Sequence, residues 1–228
     1  EVARVELARD EGGERAVWVG SERYRTRTLV LAMGARPKKL DVPGEEALRG
    51  RGIAFCAVCD APLFAGRRTL VVGGGDSAME ESLGLARHTA GVTLVHRRET
   101  FRASPIMLQR VRENGVIRVL TPYAVEAFVA GGDGNLAAAR LRRADGSEVR
   151  ELPVDGVFIA VGHAPQSDVV RGRLELDAEG YVVTRAGSTE TSVPGVFACG
   201  DLVDRRYRQA VTAAGSGCQA ALDAQRYV

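Results

Sequence analysis

An α/β fold built around a parallel sheet is the architecture this sequence predicts. Three observations carry it. Residues 69–78 read as a strand, a glycine-rich turn and the start of a helix. Residues 28–32 and 156–161 are continuous apolar runs, which suit strands buried on both faces. Residues 92–96 then follow a helical stretch as the second strand of one βαβ unit over 69–98.

Taken in order, residues 2–9, 15–19 and 25–32 read as strands separated by Gly12-Gly13 and Gly20-Ser21. The third ends at Gly34, and Pro37, Pro43 and Gly44 mark a linker. In the βαβ unit, 69–72 is the strand, Gly73-Gly74-Gly75 the turn, 76–88 the helix and 92–96 the returning strand. Ser104 as N-cap and Pro105 at the first helical position open a further helix that stops at Gly115. Strands are expected at 116–120, 123–129 and 136–143, the last turning through Asp145-Gly146, and at 156–161 up to Gly162. Residues 180–184 read as a short strand, 193–200 as a strand ending just before Asp201, and 212–227 as a helix rich in small residues.

The chain has 228 residues, 45% of them hydrophobic, enough for one large domain or two modest ones. No run is long enough to span a bilayer, so no membrane association is expected. A formal net charge of +2 gives no electrostatic case for nucleic acid. The basic residues are nearly all Arg; Lys38 and Lys39 are the only lysines. The chain opens on Glu1 and runs at once into strand-like sequence without a targeting signal, which reads as a fragment or an internal start. One close cysteine pair and two distant single cysteines do not form a secreted disulfide framework, so a reducing, cytoplasmic setting is expected.

Gly73-Gly74-Gly75-Asp76-Ser77-Ala78 fits the pattern G-x-G-x-x-A at a strand-to-helix junction. Gly73 permits the tight turn, Gly75 lets backbone approach a diphosphate, and Ala78 keeps the helix close to the strand. The helix N-terminus offers free N–H groups and a positive dipole end to the phosphates. Where dinucleotide sites for NAD carry an acid, this chain has His96-Arg97-Arg98, with Arg102 close behind. Those cations suit a 2′-phosphate and favour NADPH over NADH; the plain alternative is a solvated basic turn. His96 by itself reads as structural.

Cys56-Ala57-Val58-Cys59-Asp60 lies just upstream. The spacing suits a disulfide at the start of a helix, where the dipole would lower a thiol pKa, and Asp60 could give a proton to a departing thiolate. Zinc would need two further ligands, and neither Cys199, Cys218 nor the three histidines supply a matching pattern, so no metal site is expected. Cys199 and Cys218 read as small core residues.

These motifs resemble the low-molecular-weight thioredoxin reductases, a family of two-domain flavoproteins. The resemblance spans essentially the whole chain. It rests on Cys56-Ala-Val-Cys-Asp60, Gly73-Gly-Gly-Asp-Ser-Ala-Met-Glu-Glu81 and His96-Arg-Arg-Glu-Thr-Phe-Arg102, and continues through Gly195-Val-Phe-Ala-Cys-Gly-Asp201 and Tyr207-Arg-Gln-Ala-Val-Thr-Ala-Ala-Gly-Ser-Gly-Cys218. It implies two Rossmann-like domains of three-layer ββα type, an NADPH domain inserted into a FAD domain. The expected division is 1–35 and 163–228 for the FAD domain and 36–162 for the NADPH domain, with Gly34 and Gly162 near the crossings.

The resemblance also implies a reaction: NADPH reduces FAD, FAD reduces the Cys56–Cys59 disulfide, and the dithiol reduces thioredoxin or a thioredoxin-like protein. Cys59 would face the flavin, Cys56 would attack the partner disulfide, and Asp60 would be the general acid. Ser77, His96 and Arg102 would hold NADPH, with Val161 and Tyr181 as further contacts. Gly200 and Asp201 would meet the ribityl-phosphate region of FAD, and Arg208, Gln209 and Ala210 the isoalloxazine. A homodimer is implied as well. Two departures stand out: Ala61 replaces the family's usual Gly, and the N-terminal glycine-rich motif for the ADP half of FAD is not in this chain. The expectation is therefore an N-terminally incomplete chain, short of roughly 80 residues and more than one βαβ unit, with FAD binding weakened or lost. Two alternatives are a flavin-free NADPH-binding fragment, and a related enzyme such as the alkyl hydroperoxide reductase flavin subunit. The latter uses NADH, so the arginine cluster argues against it.

Overall fold

The computed structural model describes residues 2–8 and 13–228, which divide into two compact units. Unit 1 combines the described residues up to Arg36 with His163–Val228, and unit 2 is Pro37–Gly162. Arg9 and Gly12, part of the expected first strand and turn, lie outside the described residues.

Unit 1 begins with β1 (Val2–Glu6), β2 (Arg15–Val19) and β3 (Glu22–Thr26), an antiparallel sheet in that order. β4 (Leu29–Leu31) belongs to a different sheet, so the strand expected over 25–32 is two strands. The physical reason is composition. Residues 22–25 are polar and exposed and suit a hairpin, whereas 29–31 are apolar and lead to the core. The Thr26 hydroxyl donates to the Thr28 carbonyl at 2.7 Å, in the break between the strands. β5 (Ala35–Pro37) then leads to unit 2.

Unit 2 contains β6 (Ile53–Ala54), α1 (Ala57–Asp60), β7 (Arg68–Val72), α2 (Asp76–Leu85), β8 (Gly91–Val95), α3 (Pro105–Glu113) and β9 (Ile117–Leu120). β10 (Tyr123–Ala130), β11 (Leu136–Arg143), β12 (Val149–Pro153) and β13 (Gly156–Ile159) follow. The central sheet is parallel with order β6-β13-β7-β8-β9, and β10-β11-β12 form a separate antiparallel sheet. Side chains alternate across a strand, and the two cores follow that alternation. Leu70, Val72, Val157 and Ile159 pack with Tyr123, Phe128 and Leu141 of the antiparallel sheet. Val71 and Phe158 pack instead with Ala78, Met79 and Leu85 of α2 and Val111 of α3. Sheet, sheet and helix layers are therefore built from one continuous chain segment, the Rossmann-like three-layer arrangement that the resemblance implies.

The chain returns to unit 1 through β14 (His163–Pro165), which pairs with β5. β15 (Val196–Ala198) pairs in parallel with β4, and α4 (Ala210–Tyr227) ends the chain. The strand expected at 180–184 is absent from the fold. Asp177 Oδ1 accepts from the N–H groups of Glu179 and Tyr181, both at 2.9 Å, and this turn leaves only an isolated Leu176–Val182 bridge. The strand expected over 193–200 is confined to β15, because Gly195 and Gly200 take positive φ on either side of it. α2 stops at Leu85 and not at 88; the Leu85 carbonyl accepts from the N–H groups of His88 and Thr89 as the chain turns away. Among the described residues no helix is long and apolar enough to cross a membrane.

Candidate functional site

The turn after β7 is shaped by close packing. A Cβ on Gly73 would collide with the Ala160 carbonyl oxygen and lie 2.7 Å from the Ala78 Cβ. A Cβ on Gly74 would run into the His96 ring. Gly75 is different: its backbone is extended, with φ −105°, and nothing lies within 4 Å of the position of a Cβ there. Gly73 thus serves the fold, and Gly75 keeps a space open beside the N-terminus of α2. Ala78 is fully buried against β7, as its small size predicts. We expect Gly73→Ala to lower the stability by about 3 kcal/mol, because its obstacle is backbone. Gly75→Ala should leave the urea midpoint in place and weaken binding of a nucleotide. A comparable loss of stability in both variants would contradict this division of roles.

The arginine-bearing loop is tied to the same turn. The Gly74 carbonyl accepts from the N–H groups of Arg102 at 2.8 Å and Ala103 at 3.1 Å. Asp76 Oδ1 accepts from the Ser104 N–H at 2.8 Å and the Ser104 hydroxyl at 3.0 Å. Asp76, expected at the nucleotide, therefore has its carboxylate engaged with the start of α3, and Ser104 spends its hydroxyl there and not on capping α3. His96 stacks on Phe101 with ring centroids 4.8 Å apart, and its Nε2 lies 3.1 Å from the Thr100 carbonyl oxygen. Burial lowers the His96 pKa against the opposing Thr100 contact, and Arg98, Arg97 and Arg102 lower it further. These effects favour the neutral ring, and the fixed positive charge of this loop comes from the arginines.

A cavity of about 440 Å³ opens along the carboxyl ends of β7, β8 and β13. Gly73, His96, Arg97, Arg98, Arg102 and Val161 line it, whereas Gly75, Asp76, Ser77 and Ala78 do not. Tyr181 does not line it either; it is buried in unit 1. Among the lining residues that sequence reasoning missed are Lys38, Lys39 and Tyr123. The two lysines bring a second group of cations to the cavity, and no carboxylate residue lines it. Their segment is held by Glu45, a buried carboxylate that accepts from Leu40 N–H at 3.0 Å and Asp41 N–H at 2.8 Å. The one signal available in the sequence was that these are its only lysines.

Cys56 and Cys59 are joined as a disulfide with Cα atoms 5.4 Å apart. Cys56 is the N-cap of α1, and its Sγ accepts from the Cys59 N–H at 3.2 Å. The helix has only four residues, so the dipole expected to tune the thiol is that of a single turn and is weak. Cys59 is exposed, Cys56 half-buried, and Val58 between them is 83% exposed. The Asp60 carboxylate makes no hydrogen bond or ion pair among the described residues. Cys199 is buried, and burial raises its thiol pKa, so it stays protonated. Cys218 is exposed on α4, contrary to the core position expected for it; the small-residue pattern of α4 hid which face turns outward.

In unit 1 the turn after β15 gathers Gly200, Asp201, Arg208, Gln209 and Ala210. Asp204 organises it, accepting from the N–H groups of Arg206, Tyr207 and Arg208 at 2.8–2.9 Å. Burial pushes the Asp204 carboxyl up, but these donors and the Thr212 hydroxyl outweigh it and hold the carboxyl below its ordinary value. The bonds hold Arg208 at φ +48°, and Gln209 then forms a capping box with Thr212 to start α4. Asp201 is the outlier. Its Oδ1 is buried without a hydrogen-bond partner among the described residues. Burial, and secondly the charge of Asp204, raise its pKa, against a smaller opposing effect of Arg208.

The pyridine nucleotide-disulphide oxidoreductase family matches residues 2–217. A thioredoxin reductase of Mycolicibacterium smegmatis is 51% identical over 98% of this chain and 71% of its own length. The chain belongs to the thioredoxin reductases of that family. A bifunctional thioredoxin reductase/thioredoxin of Mycobacterium leprae is 50% identical over 90% of this chain, which spans 44% of that longer relative. The crystal structure of thioredoxin reductase from Streptococcus pyogenes superposes with a TM-score of 0.89 at 34% identity, covering 100% of this chain and 72% of that one. As in the family's name, a disulfide shares unit 2 with a Rossmann-like fold, and Cys56–Cys59 fits the redox-active pair of a thioredoxin reductase.

Proposed function

We propose that this chain carries the NADPH site, the redox disulfide and part of the FAD site of a thioredoxin-disulfide reductase. One observation carries the reading: the Cys56–Cys59 disulfide lies in the same unit as a cavity whose charged lining is entirely cationic. Unit 2 is then the NADPH domain and unit 1 belongs to the FAD domain.

The residues fit both groups. On the NADPH side, the space kept open at Gly75 admits a diphosphate beside α2, and Arg97, Arg98 and Arg102 offer the charge a 2′-phosphate needs. On the FAD side, the unpartnered Asp201 Oδ1 can accept a hydrogen bond from a hydroxyl of the ribityl chain, and Arg208 acts on the same carboxylate electrostatically; Gln209 and Ala210 are the further FAD contacts of the proposal. When bound, FAD supplies the two-electron relay between NADPH and the disulfide. The chain's own residues do the rest. Cys56 and Cys59 take up the two electrons and become a dithiol. The thiolate of Cys56 attacks one sulfur of thioredoxin and forms a mixed disulfide. Asp60 protonates the thiolate that leaves, and Cys59 closes the intramolecular disulfide and releases reduced thioredoxin. The half-buried position of Cys56 calls for a partner that reaches it past the exposed Val58. A homodimer in a reducing cytoplasm completes the proposal.

The test is a visible spectrum of the purified chain with FAD supplied, before and after anaerobic NADPH. A bound flavin band that bleaches supports the full reading. NADPH binding by a chain that stays colourless favours the flavin-free fragment.

A further inference from the structure

We infer that Lys38 is a second, separate phosphate-binding residue of the unit 2 cavity, engaging the diphosphate bridge that NADPH and NADH share. The inference rests on the proposed dinucleotide site and extends it to a residue that the glycine-rich motif and the arginine cluster do not include.

Position is the first argument. In the sheet order β13-β7-β8, the carboxyl ends of β13 and β8 are two strand spacings apart, roughly 10 Å, with the Gly73–Gly75 turn between them. Arg97 and Arg98 sit at the β8 end. Lys38 sits at the β13 end. Its N–H donates to the Gly162 carbonyl at 2.9 Å, and its Cδ is 3.9 Å from where a Cβ on Gly162 would stand. The stem therefore lies along the Gly162 backbone, whose φ of +102° suits glycine. An anion at the central turn has the arginines on one side and Lys38 on the other.

Availability is the second. Lys39 is committed to Glu46, with Nζ 2.6 Å from Oε2, whereas Lys38 has no ion pair among the described residues. The segment is also held in place, because the Glu45 carboxylate fastens the backbone at Leu40 and Asp41. Lys38 is thus an uncommitted ammonium on an anchored strap, lining a cavity with no carboxylate residue to compete for it.

Calorimetric titration of the 228-residue chain without flavin tests this, using NADPH, NADH and 2′-AMP as probes. The last carries the 2′-phosphate but no diphosphate. Lys38→Met should weaken NADPH and NADH alike, by about tenfold for one charge-assisted contact, and leave 2′-AMP unchanged. Lys38→Arg should recover most of the loss. Unchanged binding of both dinucleotides by Lys38→Met would overturn the inference. So would an equal loss for 2′-AMP, which would move Lys38 to the 2′-phosphate. If the wild-type chain binds 2′-AMP but neither dinucleotide, Lys38 loses its role while the arginine site stands. If it binds none of the three, the cavity reading itself falls, and Lys38 with it.

Discussion

Cys59→Ser is expected to bring NADPH-driven thioredoxin reduction to background while leaving nucleotide binding intact. A serine hydroxyl cannot form or break a sulfur–sulfur bond, so the chain loses the only place among its described residues where it stores two electrons as a dithiol. The buried Cys199 cannot substitute, and Cys218 belongs to the other unit. The fold should tolerate the change, since Cys59 is exposed and hydroxyl and thiol are similar in size. A thiol count on the denatured chain checks the premise without any flavin. The wild type should show two reactive thiols before dithiothreitol and four after it. Cys59→Ser should show three under both conditions. Residual turnover in a variant with that thiol count would remove the disulfide from the mechanism.

Replacing Arg97, Arg98 and Arg102 together with Ala is expected to lower NADPH affinity by on the order of a hundredfold to a thousandfold and to change NADH affinity little. Several charge-assisted bonds to one phosphate are lost together when the three guanidinium groups that line the cavity are removed. The backbone ties make the result interpretable. Arg102 and Ala103 are held to Gly74 through their N–H groups, which survive the substitutions. His96 should regain some basicity once the three guanidinium charges are gone, because they add to the effect of burial in depressing it. The ratio of dissociation constants for NADPH and NADH at fixed salt is the measurement. An unchanged ratio would leave the arginines as a solvated basic turn.

Much of unit 2 was legible in the sequence because its signals are local. Glycine spacing, an apolar strand before it and a helix after it mark the nucleotide turn, and each reports on a neighbour only a few residues away. The arginine loop was equally plain. What the sequence could not show was Asp76 meeting Ser104 or Lys38 meeting Gly162, because those pairs are joined only by the fold. β12 escaped notice for a different reason. Its residues alternate between exposed and half-buried, and none is buried deeply enough to leave an apolar pattern. In unit 1 the failures came from polar side chains that redirect backbone. Asp177 turned an expected strand into a loop, and the composition change between Thr26 and Leu29 split another.

The buried Arg15 of β2 bears on how this protein is made. It is fully enclosed, and its guanidinium reaches the carbonyls of Gly13, Arg27 and Pro194 and approaches the Tyr227 ring, 5.6 Å from its centroid. Two of those partners are encoded at the far end of the chain. On a ribosome, Arg15 and the unpaired edge of β4 emerge long before them, and the whole of unit 2 is translated in between. At about 5–20 residues per second that delay is on the order of ten seconds. Unit 2, continuous in sequence, can close during synthesis, while the first part of unit 1 waits as an open sheet with a buried-type cation still in water. The inserted unit, continuous in sequence, can therefore close before the outer unit has all of its strands.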